Sequence, residues 1–89
     1  MSNESVGGYS PYTCDISPNA RQAFAEAMAG YVGVKFSPVA VSIQLVAGSN
    51  YKFFCNAKIS TNYPGNGAAI VSIYAPLEGK AHITHIQNL

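Results

Sequence analysis

The stretch Val39-Ala40-Val41-Ser42-Ile43-Gln44-Leu45-Val46-Ala47-Gly48-Ser49-Asn50-Tyr51-Lys52-Phe53 decides the fold. Val39, Val41, Ile43 and Leu45 alternate with Ala40, Ser42 and Gln44, the period of a strand with one buried face. Val46 to Asn50 reads as a turn. A second strand, Tyr51 to Ser60, then sets Tyr51, Phe53, Cys55, Ala57 and Ile59 on one side. Its other side, Lys52, Phe54, Asn56 and Lys58, mostly suits water. Residues 61–67, with Asn62, Pro64, Gly65, Asn66 and Gly67, form a loop. A third strand, Ala68 to Ala75, alternates Ala69, Val71 and Ile73 with Ile70, Ser72 and Tyr74. Pro76 to Lys80 turns the chain again, and Ala81 to Gln87 closes as a fourth strand.

Upstream of this meander the period changes to that of a helix. Ser17 is an N-cap residue and Pro18 fits the first helical position, where a missing N–H costs nothing. Ala20, Phe24, Ala27, Met28 and Tyr31 follow at the spacing of one face, with Arg21, Gln22 and Glu26 opposite. Gly30 and Gly33 supply the stop, so the expected helix covers 18–30. Tyr9 to Asp15 carries β-formers broken by Pro11 and can be an edge strand at best. Residues 1–8 read as a mobile arm, leaving 9–89 as one domain. A helix with one apolar stripe and a sheet with one apolar face cover each other. The expected fold is α+β, one helix packed across a four- to five-stranded antiparallel sheet.

Composition narrows the function classes. Eighty-nine residues make one domain. Only 10% are charged, against roughly 25% in an average soluble domain. A formal net charge of +1 offers no basic stripe to displace counterions from phosphates, so no nucleic acid is expected as partner. No apolar run is long enough to span a bilayer, and no polybasic segment would hold a membrane surface. The start, Met1-Ser2-Asn3-Glu4-Ser5, lacks the basic and apolar regions of a signal peptide. A cytoplasmic protein is expected, or a secreted one whose signal peptide has been removed.

Catalysis would have to use Cys14, Cys55, His82 or His85. Cys55 shares its strand face with Tyr51, Phe53 and Ile59, which suits a buried, inert thiol. His82 and His85, three apart on a strand, are expected on opposite faces, which excludes a shared metal site. Two strand spacings, about 9–10 Å, separate the expected positions of Cys14 and Cys55, beyond the roughly 7 Å reach of a disulfide. Free thiols, no metal, no cofactor and no enzymatic activity are expected.

The topology instead draws attention to one edge. Alternate turns of an antiparallel meander lie at the same end of the sheet, so Val46–Asn50 and Pro76–Lys80 are neighbours. If Tyr9–Asp15 pairs antiparallel with the Val39–Leu45 strand, Gly7 and Gly8 join them. The resulting rim is apolar and nearly uncharged: Gly7, Gly8, Val46, Ala47, Gly48, Pro76 and Leu77. Such a wedge has the shape to dock into a cleft.

At these residues the chain resembles the cystatins, inhibitors of papain-like cysteine proteases. Gln44-Leu45-Val46-Ala47-Gly48 matches that family's Q-x-V-x-G hairpin signature, and Ser49-Asn50-Tyr51 resembles its continuation. Gly7-Gly8 is similar to the family's N-terminal glycine, and a helix between the first two strands is the family's architecture. The closest branch is the stefin-like one, small and disulfide-free. Pro76-Leu77-Glu78-Gly79 stands where the secreted branch has Pro-Trp, and the chain has no Trp.

The resemblance implies a reversible, competitive inhibitor of cathepsin-type enzymes. Gly7 and Gly8 would enter the non-primed side of the cleft and the hairpin Gln44, Leu45, Val46, Ala47 and Gly48 the primed side. Pro76 and Leu77 would add a second contact. Gln44 is expected to serve backbone groups at the base of its turn. The alternative is a non-inhibitory cystatin-fold protein with a different partner. A monomer is expected, one that can become a domain-swapped dimer if the 46–50 turn opens.

Overall fold

A computed structural model describes residues 8–59 and 66–89. Gly7, the rest of the N-terminal arm before Gly8 and most of the expected 61–67 loop lie outside the described residues. The order is α1 (Pro18–Met28), β1 (Val34–Val46), β2 (Gly48–Ile59), β3 (Asn66–Ala75) and β4 (His82–Asn88). The four strands form one antiparallel sheet in sequential order. One helix packed against this sheet makes an α+β fold.

The helix starts where its cap dictates. Ser17 is extended, and its hydroxyl accepts a hydrogen bond from the Ala20 N–H at 3.2 Å, with Pro18 next to it. A cap of this kind contributes about 1 kcal/mol. The regular helix stops at Met28, two residues short of the expected end, and Gly30 takes the left-handed turn with φ of 82°. Ala20 and Ala23 are buried, and their small side chains let the helix lie close to the sheet. Phe24 meets Phe53 of β2 edge-on, with ring centroids 4.9 Å apart. Glu26 departs from its expected solvent role, because its Oε1 accepts a hydrogen bond from the Ala81 N–H at 3.1 Å.

The inner faces of β2 and β3 follow the period of two. Tyr51, Phe53, Cys55 and Ala57 of β2 and Ala69, Val71 and Ile73 of β3 are buried. Ile59, at the end of β2, remains 43% exposed.

The first strand departs from simple alternation. It begins at Val34, upstream of Pro38, because the edge of a sheet tolerates a residue without an N–H. Pro38 lies opposite Cys55 and Ala40 opposite Phe54, so Val39 is an extra, unpaired residue. This bulge shifts the phase by one. Phe36 and Val41, of opposite parity, therefore share the buried face, while Val39 is exposed.

A second bulge corrects the histidine expectation. His85 is opposite Ser72 and His82 opposite Tyr74, with the register shift between Ser72 and Ile73. Ser72 and Tyr74 alternate with the buried Val71 and Ile73, so both histidines stand on the outer face. The argument from opposite faces therefore fails. Two imidazoles remain short of a closed zinc site, and among the described residues no third His, Cys, Asp or Glu joins them.

Tyr9 to Asp15 flanks β1 as an edge segment with one antiparallel bridge, Thr13 to Val41, in place of a full strand. The two backbone hydrogen bonds between Thr13 and Val41 are each 2.9 Å. Both cysteines are free, Cys14 exposed and Cys55 buried. Burial pushes the Cys55 thiol up to about 12, leaving very little thiolate at pH 8. In the native protein one thiol, Cys14, should react rapidly with a disulfide reagent at pH 8, and the second only after denaturant is added. Two equivalents reacting rapidly in native buffer would contradict the packing described around Cys55.

Candidate functional site

Three chain segments meet at one end of the sheet. The first is the β1–β2 hairpin. Val46 is opposite Gly48, which leaves Ala47 alone at the apex. The turn is tighter than the expected 46–50, because Ser49 and Asn50 already belong to β2 and pair with Leu45 and Gln44. Gly48 makes this possible with φ of 100°, a conformation that L side chains resist.

Close packing adds a second demand on Gly48. A Cβ built there would lie 2.5 Å from the Ala75 carbonyl oxygen and 3.0 Å from Pro76 Cα. These contacts set the first hairpin directly against the start of the second turn, so Gly48 and Pro76 are neighbours. The side-by-side arrangement of the two turns, inferred above from topology, is present.

The second turn carries Pro76 and Leu77, and Leu77 is 79% exposed. Glu26 of the helix fastens the far end of this turn through the Ala81 N–H.

The third segment is the N-terminal one. Ser10 is its anchor. Its N–H donates to the Ile43 carbonyl at 2.8 Å, and its hydroxyl accepts from the Ile43 N–H at 3.0 Å. The buried Ser42 hydroxyl donates to the Ser10 carbonyl. Lys52 Nζ lies 4.3 Å from the centre of the Tyr9 ring, a contact of about 0.5–1 kcal/mol at an exposed site. The segment runs antiparallel to β1, so Gly8, two residues before Ser10, lies on the hairpin side of Ile43.

The rim is exposed and apolar. Leu45 is 73% exposed, and Val46, Ala47 and Gly8 also face solvent. Gln44 stands behind it. Its Oε1 accepts a hydrogen bond from Asn50 Nδ2 at 2.8 Å. Asn50 and Gln44 are opposite each other, and Asn50 is in turn opposite Tyr74 and Tyr74 opposite His82. A polar row thus crosses all four strands just behind the wedge. Tyr74 donates its hydroxyl proton to the Ala47 carbonyl, and its ring meets His82 edge-on at 5.8 Å.

Sequence reasoning brought Gly8, Gln44 to Gly48, Pro76 and Leu77 together. It missed Ser10, Ser42, Asn50 and Tyr74, which hold them. For Asn50 and Tyr74 the available signal is register: pairing Gln44 with Asn50 and Asn50 with Tyr74 places those two in line with Gln44.

No family model, curated protein or solved structure gives a significant match to this chain.

Proposed function

We propose that this chain is a cystatin-like, reversible and competitive inhibitor of papain-like cysteine proteases. The observation that carries the reading is the convergence of Gly8, the Ala47 apex and the Pro76–Leu77 turn on one exposed apolar rim. A papain-like active site lies in a narrow cleft with a Cys–His pair at its floor. Cleavage requires a carbonyl held about 3–3.5 Å from the nucleophile. A wedge that fills the cleft on both sides of the pair, without offering a peptide bond there, excludes substrate and is itself spared.

Each part of the rim suits such a task. Gly8 lets the backbone approach an enzyme surface closely. Burying an exposed Leu or Val side chain contributes roughly 1.5–3 kcal/mol before the costs of association. Leu45, Val46 and Leu77 are therefore the main apolar contributors. Because the turns are fixed to the sheet before contact, little further ordering opposes binding. The monomer is the active species in this account, since a strand exchange at Ala47 would straighten the hairpin.

Removing residues 1–8 should weaken inhibition of papain mainly by speeding dissociation, because one of three contacts is lost. Asn66→Ala, at the opposite end of the sheet beside Lys58, should leave inhibition unchanged. Stopped-flow and progress-curve measurements of the two rates decide this. Equal dissociation rates for the truncated and intact proteins would remove the N-terminal segment from the site.

A further inference from the structure

We propose that Tyr74 is the positioning residue of the first hairpin, clasping its apex to the third strand so that both turns of the rim act as one rigid body. Among the described residues, no ladder pairing to a third strand reaches the apex. β1 lies at the sheet edge, and Ser49, opposite Ala75, is the last residue of β2 paired to β3 before the chain reaches Gly48. Beyond that point the hairpin is two-stranded, with one pair, Val46 and Gly48, below the apex, and Val46 and Ala47 are exposed. An unsupported ribbon of this kind is marginally stable in water.

Tyr74 supplies the missing support. It is one strand removed from the hairpin, opposite Asn50, and its hydroxyl donates to the Ala47 carbonyl. This hydrogen bond links residues 27 positions apart and fixes the apex itself, where the β1–β2 ladder has ended. The ring is steadied from the fourth strand by the edge-on contact with His82. Gln44 and Asn50, bonded to each other at 2.8 Å, brace the ribbon just below. Gly48 provides the clearance: a Cβ there would lie 3.1 Å from the Tyr74 hydroxyl oxygen. The glycine thus serves both the turn and the clasp.

Tyr74→Phe isolates the hydroxyl, since it keeps the ring and its contact with His82. In the free protein, nitrogen-15 order parameters at Ala47 and Gly48 should fall from the rigid range, near 0.85, toward the flexible range, below about 0.6. Those of Phe53 and Val71 should not move. Unchanged order parameters at Ala47 and Gly48 would overturn the clasp. A second arm rests on the inhibitor reading. The variant should leave papain roughly 2- to 10-fold faster than the intact protein, the range for one lost hydrogen bond, with an unchanged association rate. An unchanged dissociation rate would overturn the positioning role. If the intact protein fails to inhibit papain, the inhibitor reading falls, and the order parameters still decide the clasp.

Discussion

Gly48→Glu is expected to raise the inhibition constant against papain by about 100-fold or more, the loss typical of a central interface residue. Three effects act together. The backbone at this position has φ of 100°, where a side chain costs about 1–3 kcal/mol. Any Cβ meets the Ala75 carbonyl oxygen at 2.5 Å, and a backbone atom cannot swing aside as a flexible side chain can. The hairpin must therefore shift away from the second turn. The carboxylate itself would also have to lose water on entering an apolar cleft.

Gly48→Ala separates these causes, because it keeps the strain and the clash and adds no charge. It should show a large part of the loss. Both variants should give the circular dichroism spectrum of a folded protein, since the position lies outside the core. Normal inhibition by both would show that the hairpin is not a contact surface.

The largest effect on stability is expected from Phe53→Ala. Phe53 is fully buried at the centre of the sheet, with the Phe24 ring edge-on at 4.9 Å and the Tyr51 ring at 5.6 Å. Truncating a buried Phe costs about 3–5 kcal/mol through lost transfer energy and the cavity left behind. A domain of this size has roughly 4–13 kcal/mol in total. At about 4–8 °C per kcal/mol, the thermal midpoint should fall by at least roughly 12 °C, with partial unfolding at room temperature a natural outcome. Leu77→Ala, at an exposed rim residue, should leave the midpoint nearly unchanged. A Phe53→Ala protein as heat-stable as the parent would contradict the core described above.

These residues also show what the sequence makes legible. Phe53, Val71 and Ile73 are readable as core because β2 and β3 keep strict alternation over their whole buried length. The helix start is readable because Ser17 and Pro18 act locally. The bulges at Val39 and in β4 are not, because an unpaired residue is defined only against its partner strand. One such shift reversed the expected side of a histidine; the other concealed that Phe36 and Val41 share a face.

The site divides in the same way. Its apolar tips are turn residues and can be found by counting strands. Its fastenings join distant positions: Tyr74 to Ala47 across 27 residues, Ser42 to Ser10 across 32, and Glu26 to Ala81 across 55. Nothing local marks Tyr74 or Ser10 as special, since a Tyr in a strand and a Ser before a Pro are both ordinary.

Steady-state inhibition of papain by the intact protein, over a range of peptide substrate concentrations, tests the central claim most directly. Inhibition should be competitive and should reverse on dilution, with one inhibitor bound per enzyme and the inhibitor recovered uncleaved. Full papain activity in the presence of a large excess of folded protein would contradict the claim, and would assign the rim to another partner.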